Sequence, residues 1–362
     1  MLFFTCSGNV TDIVSGNTPQ FVQKGAAMKI YTIKDIAQLA GVSVTTVSRV
    51  LNHRPDVNRQ TREKVEAVMR DCNFVGNANA RGLKMPDGDV VAVILRGHAN
   101  PFLTQVAESM LHFAQDAKVP FMLEFIDEKA DEFQTAMRLR HEKRATAFIF
   151  VGSRIDSRAR ILAEQQDLPM VFTTVDTTGT ILAHAGSVQI DDRAMGRLVM
   201  RTLLERGHRR IAIFGGARDG IDSLSQRYAG ALEAFHEFGM IFDESRYVET
   251  RFSLKNGYDA ARAFFAVKSD TTAVFCMSDT MAVGAMRALH DIGKRIPEDV
   301  SVFGFDGVEL GKYCYPRLTT IEQPVHELAR ASIELLLDML LRNQPARHIN
   351  VEATLCMRES VK

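Results

Sequence analysis

Short apolar runs alternate with segments of helical spacing over most of the chain, and this pattern restricts the fold more than any other feature. The runs are VVAVILRG, PFMLEFID, AFIFVG, PMVFTTV, SVQI, RIAIFGG, TAVFCMS and VSVFGFD. Continuous apolar runs of this length between helices indicate parallel strands that helices cover on both faces. Eight such strands suit two lobes better than one, so the pattern predicts an α/β core of two doubly wound subdomains.

Composition sets wider limits. The chain has 362 residues, 46% of them hydrophobic and 24% charged, which predicts two or three domains with buried cores. Because no run of about 18 apolar residues is present, no membrane span is expected. The opening MLFFTCSGNV lacks the basic and apolar regions of a secretory signal. Five scattered cysteines without CxxC or zinc spacing indicate free thiols in a reducing cytoplasm: Cys6, Cys72, Cys276, Cys314 and Cys356.

The charge is distributed unevenly, although 44 basic residues balance 44 acidic ones overall. Residues 28–84 contain ten Lys or Arg against five Asp or Glu, a local charge of +5. Since the first 27 residues are neutral, the rest of the chain carries −5. A basic head on an acidic body is typical of a protein whose head binds a polyanion, although a basic helix is more often a solvated surface.

Residues 32–52, TIKDIAQLAGVSVTTVSRVLN, indicate two short helices about a three-residue turn. Thr32 is placed to cap the first helix with Asp35 as its partner, and Ser43 is placed to cap the second. Ile36, Ala37 and Leu39 form the apolar side of the first helix, and Val47, Val50 and Leu51 form that of the second, so we expect these six residues to point inward. A third helix, TREKVEAVMRDCNF, follows with Asn58 as its cap. The segment therefore predicts a helix-turn-helix.

Small hydroxyl residues surround one arginine on the second helix. In the major groove, short donors approach phosphates and base edges, and arginine binds guanine O6 and N7 bidentately. Ser43 serves partly or wholly as an N-cap, and a surface salt bridge is the alternative for Arg49. We expect Arg49 to read a base.

These segments, together with the following NARGLK, resemble the headpiece of the LacI/GalR transcriptional regulators, and the resemblance extends from residue 29 to about 360. It implies that Val44, Thr45 and Arg49 read bases and that Leu83, in a hinge helix, wedges into the minor groove. Gly76 stands where many relatives have proline, and Gly82 lies inside the hinge helix, so this helix should fold reluctantly without DNA. The expected DNA-binding residues are Thr32, Ser43, Val44, Thr45, Thr46, Ser48, Arg49, Asn52, Asn58, Thr61, Asn77, Ala80 and Leu83.

The resemblance implies a periplasmic-binding-protein-like core behind an all-α headpiece. We expect a headpiece over 28–76, a hinge helix and linker over 77–88, and an effector-binding and dimerisation core over 89–362. Within the core, the N-subdomain is expected at 89–188 with a return at 300–320, and the C-subdomain at 189–299 and 321–362. Residues 1–27 lack periodicity and are expected to be a disordered extension or a mis-assigned start. No heptad tail is visible, which favours a homodimer over a tetramer.

Ligands of open α/β sheets bind outside the carboxyl ends of the strands. The residues assigned to these ends are Asn100, Phe102, Arg227, Phe252, Ser278 and Asp306. Aromatic faces and planar charged groups suit a sugar, and the resemblance places effector contacts at the last four, with Arg227 and Asp306 on opposite lobes. Instead of contacting a ligand, Phe252 could pack in the core and Asp306 could be a turn residue. For Asp279, capping of a helix is the favoured role.

Other functions find less support. IFGGARDG, residues 213–220, is glycine-rich but is neither GxGxxG nor a P-loop, and no HExxH or GxSxG is present. No cofactor, metal or enzymatic activity is therefore expected. Purine-binding relatives carry an arginine where this chain has Ile221, which favours a sugar. We predict a cytoplasmic, dimeric, sugar-responsive regulator of operator DNA, most simply a repressor, with inducer and co-repressor both open. The alternative is a periplasmic-type sugar-binding protein without a regulatory role.

Overall fold

A computed structural model describes residues 33–51, 57–71, 90–97, 100–165, 167–182, 184–218 and 220–362. The chain divides into two units, Met1–Ala78 and Asn79–Lys362. Among the residues described, no helix is both long and apolar enough to cross a membrane. Several predictions concern residues outside these ranges. They are the predictions for residues 1–27, for the hinge helix with Gly76 and Gly82, and for the DNA-binding residues Thr32, Asn52, Asn77, Ala80 and Leu83.

The first unit contains three helices within its described residues: α1 (Ile33–Ala40), α2 (Val44–Leu51) and α3 (Arg59–Asp71). The Ser43 hydroxyl accepts a hydrogen bond from the backbone N–H of Thr46 at 3.1 Å. Asn58 Oδ1 accepts one from the N–H of Thr61 at 2.8 Å. Each bond satisfies a helix N–H that has no partner within its own helix, so both predicted N-caps are confirmed.

The three helices enclose a small apolar core. Ile36, Val47 and Val65 are fully buried in it, and Val50 is nearly so. Leu39, expected on the inner side of α1, is instead 55% exposed. At 3.6 residues per turn, a helix that buries Ile36, Ala37 and Ala40 turns position 39 away from them.

The second unit alternates strands and helices from residue 90 to its end. In chain order they are β1 (Val90–Arg96), α4 (Pro101–Asp116), β2 (Phe121–Ile126), α5 (Glu132–Lys143), β3 (Ala145–Val151), α6 (Arg160–Ala163), β4 (Met170–Thr173), β5 (Gly186–Gln189), α7 (Asp192–Glu205), β6 (Ile211–Gly215), α8 (Ser223–Glu237), β7 (Tyr247–Glu249), α9 (Leu254–Val267), β8 (Ala273–Cys276), α10 (Asp279–Asp291), β9 (Ser301–Phe303), α11 (Leu310–Tyr313), β10 (Thr320–Glu322), α12 (Val325–Arg342), β11 (His348–Asn350) and β12 (Thr354–Cys356). Short 3-10 turns lie at Ser157–Ala159 and Glu244–Arg246.

The second unit has two subdomains, which are called the N-lobe and the C-lobe below. The N-lobe contains a parallel sheet with the described strand order β2-β1-β3-β4-β5-β11. Val91, Val93 and Leu95 of β1 pack with α4 and α12 on one face. Ala92 and Ile94 pack with α5 on the other. Burial on both faces explains why the strand is a continuous apolar run rather than an alternating one.

The C-lobe contains the parallel sheet β7-β6-β8-β9 and, beside it, the antiparallel pair β10-β12. Helices α7 and α8 pack very closely because small residues lie between them. A Cβ atom on Gly230 would lie 1.9 Å from the carbonyl oxygen of Arg193. Nothing larger than glycine fits there without separating the helices.

The polypeptide passes between the lobes after β5, after β10 and after β11. The expected return of 300–320 to the N-lobe is largely wrong, because β9 pairs with β8 and Leu318 packs in the C-lobe core. Of that stretch, Val308 packs in the N-lobe core. The return is instead made by α12 and β11, which the expected boundaries assigned to the C-lobe. Local apolar runs do not specify which sheet a strand joins, and that is the reason for the error.

Candidate functional site

The first candidate site is the outer face of α2. Val44 is 41% exposed there, and Thr45 and Arg49 are exposed beside it. Val47 and Val50 on the opposite side are buried, so the helix presents Val44, Thr45 and Arg49 outward. The exposed Ser43 and Asn58 are occupied as helix caps, and Thr46 and Thr61 are half-buried. DNA contact by these residues, and by Ser48, stays a prediction.

The second candidate site is a cavity of about 400 Å³ between the two lobes of the core. Five of the six predicted effector residues line it, and they are Asn100, Phe102, Arg227, Phe252 and Asp306. Their contact with a ligand stays a prediction, but the fold brings them together from both lobes.

Asn100 and Phe102 are placed by the first turn of α4. Asn100 is the N-cap, and its Oδ1 accepts from the N–H of Phe102 at 3.0 Å. Its Nδ2 then donates to Asp306 Oδ2 at 3.4 Å, which joins α4 to the crossover. Phe252 combines two expectations, because it packs against the C-lobe core and also lines the cavity.

Arg227 lies inside α8, so its expected position at a strand end is wrong. Its Nε donates to Asp192 Oδ1 at 2.7 Å, and its Nη1 donates to the carbonyl of Met277 at 2.9 Å. The Nη1 also lies 3.9 Å from Asp306 Oδ1, and the guanidinium stacks 3.6 Å from the ring centre of Phe305. One buried arginine is therefore flanked by two buried carboxyl groups.

Asp306 does not belong to a lobe opposite Arg227, because it follows the C-lobe strand β9 and forms a bridge with Glu322 at the end of β10, where the chain crosses to the N-lobe. Burial raises its pKa to about 7, and burial raises that of Asp192 to about 6, with Arg227 acting against both shifts. Gln323 Nε2 donates to Asp306 at 2.9 Å. The residue has φ +112°, a backbone conformation that costs about 1–3 kcal/mol and that concentrates at functional sites.

Ser278 does not line the cavity. It is fully buried, and its hydroxyl accepts from the N–H of Met281 at 3.2 Å as the N-cap of α10. The capping role expected for Asp279 thus belongs to its neighbour. Asp279 instead accepts from Thr320 Oγ1 at 2.6 Å and from the N–H of Val308 at 2.8 Å, and burial raises its pKa to about 8.

Several buried charged residues near the cavity escaped the sequence reasoning. Arg96 lines the cavity, but in the sequence it only marks the end of the apolar run that forms β1. Glu132 begins α5, and burial raises its pKa to about 7. Asp192 is the first residue of α7 and directly follows the N-cap Asp191. Two acidic residues at the start of a helix resemble ordinary capping. A charged residue directly after a buried strand or at the start of a helix was the available signal, but it is common at surfaces too.

The two lobes are joined across the cleft by backbone as well as side chains. Ile155 and Ile221 form an antiparallel bridge with N–H to carbonyl distances of 2.9 and 3.0 Å. Beside it, Arg154 of the N-lobe lies 3.9 Å from Asp222 of the C-lobe. Ile221 therefore holds the lobes together through its main chain, while its side chain is 45% exposed.

Within the described part of the chain, no group of three or more His, Cys, Asp or Glu residues is arranged to hold a metal ion. The described cysteines, Cys276, Cys314 and Cys356, are free.

Comparisons with known proteins match both units. The family described as bacterial regulatory proteins, lacI family, matches residues 32–77, and the periplasmic binding protein-like domain matches residues 185–361. The HTH-type transcriptional regulator MalR of Clostridium butyricum is 31% identical over 91% of this chain and 98% of its own length. The ribose operon repressor of Haemophilus influenzae is 32% identical with the same coverage.

Solved structures agree with these matches. A complex of the transcriptional regulator CelR with cellobiose has a TM-score of 0.68 and 27% identity, covering 91% of this chain and 99% of that one. The lac repressor dimer bound to operator and the anti-inducer ONPF has a TM-score of 0.66 and 26% identity, covering 92% and 99%. With its helix-turn-helix, its two parallel-sheet lobes and a full-length relative above 30% identity, this chain belongs to the lacI family of bacterial transcriptional regulators.

Proposed function

We propose that the chain is a transcriptional repressor whose affinity for operator DNA is controlled by a small sugar-like ligand in the interlobe cavity. The observation that carries the proposal is the cavity itself, which takes polar and aromatic residues from both lobes. A ligand that touches both lobes has a different affinity for different lobe arrangements, and that difference is what shifts a conformational equilibrium. Such a regulator acts in the cytoplasm, where the DNA is.

The chemistry of the cavity favours a sugar. Phe102 and Phe252 offer apolar surface for C–H groups, while Asn100, Arg227 and Asp306 offer planar hydrogen-bonding groups for hydroxyls. A cavity of about 400 Å³ lies within the range of small-molecule sites. Two similar structures are described with sugars, cellobiose in one and ribose in the other. Because several relatives at 29–32% identity are repressors named PurR, purine bases are the competing ligands.

DNA binding is assigned to the exposed face of α2, with Arg49 as the base-reading residue. The helix is short and amphipathic, and its buried side is held by the headpiece core. Double-stranded operator DNA is therefore the macromolecular partner. This chain is proposed to bind it as a homodimer, since dimers read pseudo-palindromic sites.

The dimer proposal has its own structural support. Tyr313 is 79% exposed and Tyr315 is 96% exposed, and Leu310 nearby is 41% exposed. Large apolar residues clustered at a surface mark an interface more often than single ones do. Sedimentation of the full chain would give a dimer mass, and a Tyr313→Ser, Tyr315→Ser double variant would shift it toward monomer.

The function is tested by measuring operator binding with and without ligand. A binding sequence is first selected from random duplex DNA, and its affinity for the full chain is measured by fluorescence anisotropy. Neutral sugars, sugar derivatives and purine bases are screened by thermal shift, since a ligand at a hundred times its Kd adds about 2.7 kcal/mol of stability. An inducer should weaken operator binding, and a co-repressor should strengthen it.

The Asp306→Asn variant provides the site control. It should bind the selected DNA as wild type does but should no longer respond to the ligand. A variant that remains folded and keeps wild-type ligand affinity by calorimetry would contradict the proposed site. Binding of no duplex DNA at all would contradict the regulatory role.

A further inference from the structure

Arg96 is a buried cation in the wall of the interlobe cavity. It is the last residue of β1 and is 8% exposed. Its Nη2 donates to the carbonyl oxygen of Ala130 at 3.0 Å. Its Nε is buried without a hydrogen-bond partner, and none of the ion pairs of the described residues includes its guanidinium.

The other arginines that line the cavity each have a carboxylate nearby. Arg227 is bonded to Asp192, as described above. Arg154 lies 3.9 Å from Asp222, and Arg251 lies 3.9 Å from Glu128. Arg96 differs from all three, although it is more deeply buried than two of them.

Glu132 interacts electrostatically with Arg96, but its carboxyl group is hydrogen-bonded to other residues. One of its carboxyl oxygens accepts a short hydrogen bond from the Ser153 hydroxyl and another from the N–H of Arg154 at 3.2 Å. Burial raises the pKa of Glu132 to about 7, so part of the population is uncharged at neutral pH. Glu132 therefore supplies an incomplete counter-charge, without direct contact.

A buried charge is costly unless a partner of opposite sign supplies hydrogen bonds to it. In this protein the open side of Arg96 is the cavity, so a ligand there is placed to be the partner. The first turn of α4 also lines the cavity through Phe102 and Leu103, and no acidic residue occurs in that turn. The positive end of a 16-residue helix adds to the attraction for an anion.

We propose that the ligand of this cavity is an anionic sugar derivative and that Arg96 binds its carboxylate or phosphate group. The proposal rests on the proposed function and narrows it, since a neutral sugar would leave Arg96 uncompensated. Guanidinium groups suit this role because their parallel N–H donors match two oxygens of either anion. The remaining hydroxyls of the sugar would face the Asn100 and Asp306 end of the cavity.

The test compares matched ligands on matched variants of the full chain. Hexuronates, aldonates and hexose 6-phosphates are each paired with the neutral parent sugar, and inorganic phosphate is included as an anion without a sugar. Thermal shift and calorimetry are measured on wild type, on Arg96→Gln and on Arg160→Gln. Arg160 is a control because its side chain is 82% exposed and pairs on the surface with Glu164.

We expect an anionic derivative to bind wild type and Arg160→Gln at least about thirtyfold more tightly than its neutral parent, and this preference should disappear in Arg96→Gln. The uronate and phosphate arms distinguish the two sources of the anion. A neutral sugar that binds wild type at least as tightly as its anionic derivatives do would overturn this inference and leave the proposed function intact. Stabilisation by none of the compounds would count against both.

A measurement without ligand gives an independent check. Arg96→Met and Arg227→Met are compared for the midpoint of thermal unfolding of the unliganded chain. Arg227→Met leaves two buried carboxyl groups without their cation, whereas Arg96→Met removes no direct contact with a carboxyl group. The midpoint of thermal unfolding should therefore fall much less in Arg96→Met than in Arg227→Met. An equal loss in the two variants would show that Arg96 already has its counter-charge, and the inference would fail.

Discussion

The buried arginine Arg227 offers the sharpest test of how the cavity is built. Its side chain is 5% exposed, and it makes a 2.7 Å bond to Asp192 and a 2.9 Å bond to the carbonyl of Met277. Removing one partner of a buried ion pair costs about 3–5 kcal/mol, because the other partner stays buried and unpaired. The stacking on Phe305 adds up to about 2 kcal/mol. We therefore expect Arg227→Met to lower the free energy of unfolding by about 3–7 kcal/mol at pH 8.

The loss should depend on pH, and its sign follows from the carboxyl pKa values. Burial raises the pKa of Asp192 to about 6 and that of Asp306 to about 7, above the ordinary 3.8. A raised carboxyl pKa stabilises the fold below pH 4, and that contribution is lost as the pH rises through the folded-state value. Without Arg227 both values rise further, and each added unit costs about 1.4 kcal/mol once the pH exceeds it. The difference between variant and wild type should thus be smaller at pH 5 than at pH 8.

The assay is urea denaturation followed by circular dichroism at the two pH values. Arg193→Met is the matched control on the neighbouring helix, because Arg193 is 57% exposed and pairs with Glu233 at the surface. Such exposed pairs contribute about 0–1 kcal/mol. If Arg227→Met lowered the free energy of unfolding no more than this control, or by equal amounts at pH 5 and pH 8, the reasoning about a buried charge cluster would be refuted.

Four further predictions concern other parts of the chain. Arg49→Ala should weaken the selected operator by about 1–3 kcal/mol and relax preference at one base pair per half-site, whereas equal weakening on all DNA would mean an electrostatic role. Deleting residues 1–27 should leave operator affinity unchanged, and a roughly tenfold (about 1.4 kcal/mol) loss would contradict this. Gly230→Ala should cost about 1–3 kcal/mol in urea because its Cβ would lie 1.9 Å from the Arg193 oxygen; wild-type stability would disprove the close packing. Burial raises the pKa of Glu132 to about 7, so the stability that its protonated form contributes is lost as the pH rises from about 4.5 to 7. Glu132→Gln should reduce this decline in the free energy of unfolding, and an unchanged dependence of stability on pH would contradict the prediction.

Much of the fold follows from local patterns. All eight apolar runs are strands, and most of them are continuously apolar because they are buried on both faces; the edge strand β2 is only partly buried. The strands β7, β10, β11 and β12 were not predicted, since each has three residues and the burial of each is partial or varied along its length. Three residues carry too little periodicity to be distinguished from a loop unless they are all buried, as they are in the equally short β9.

The cavity was harder to predict than the fold. Asn100 and Phe102 lie at a strand-to-helix turn, which local rules find. Arg227 was found through the resemblance, and its neighbour Asp192 was not, because they are 35 positions apart in sequence and meet only when α7 packs on α8. Arg96 ends an apolar run, and sequence gives no sign that it lacks a carboxylate partner. Long-range pairing of charges is a property of the packed helices and sheets.

The bridge between Ile155 and Ile221 has a consequence for redesign of ligand specificity. Both of its hydrogen bonds join main-chain atoms, at 2.9 and 3.0 Å, and each such bond contributes a net stabilisation of about 0.5–1.5 kcal/mol. The tendency of the lobes to stay together at this point is therefore largely independent of which side chains line the cavity. A mutant library at Asn100, Phe102 and Phe252 could be selected for a new inducer while keeping the same clamp. Position 221 should be kept free of proline, because proline has no N–H to donate.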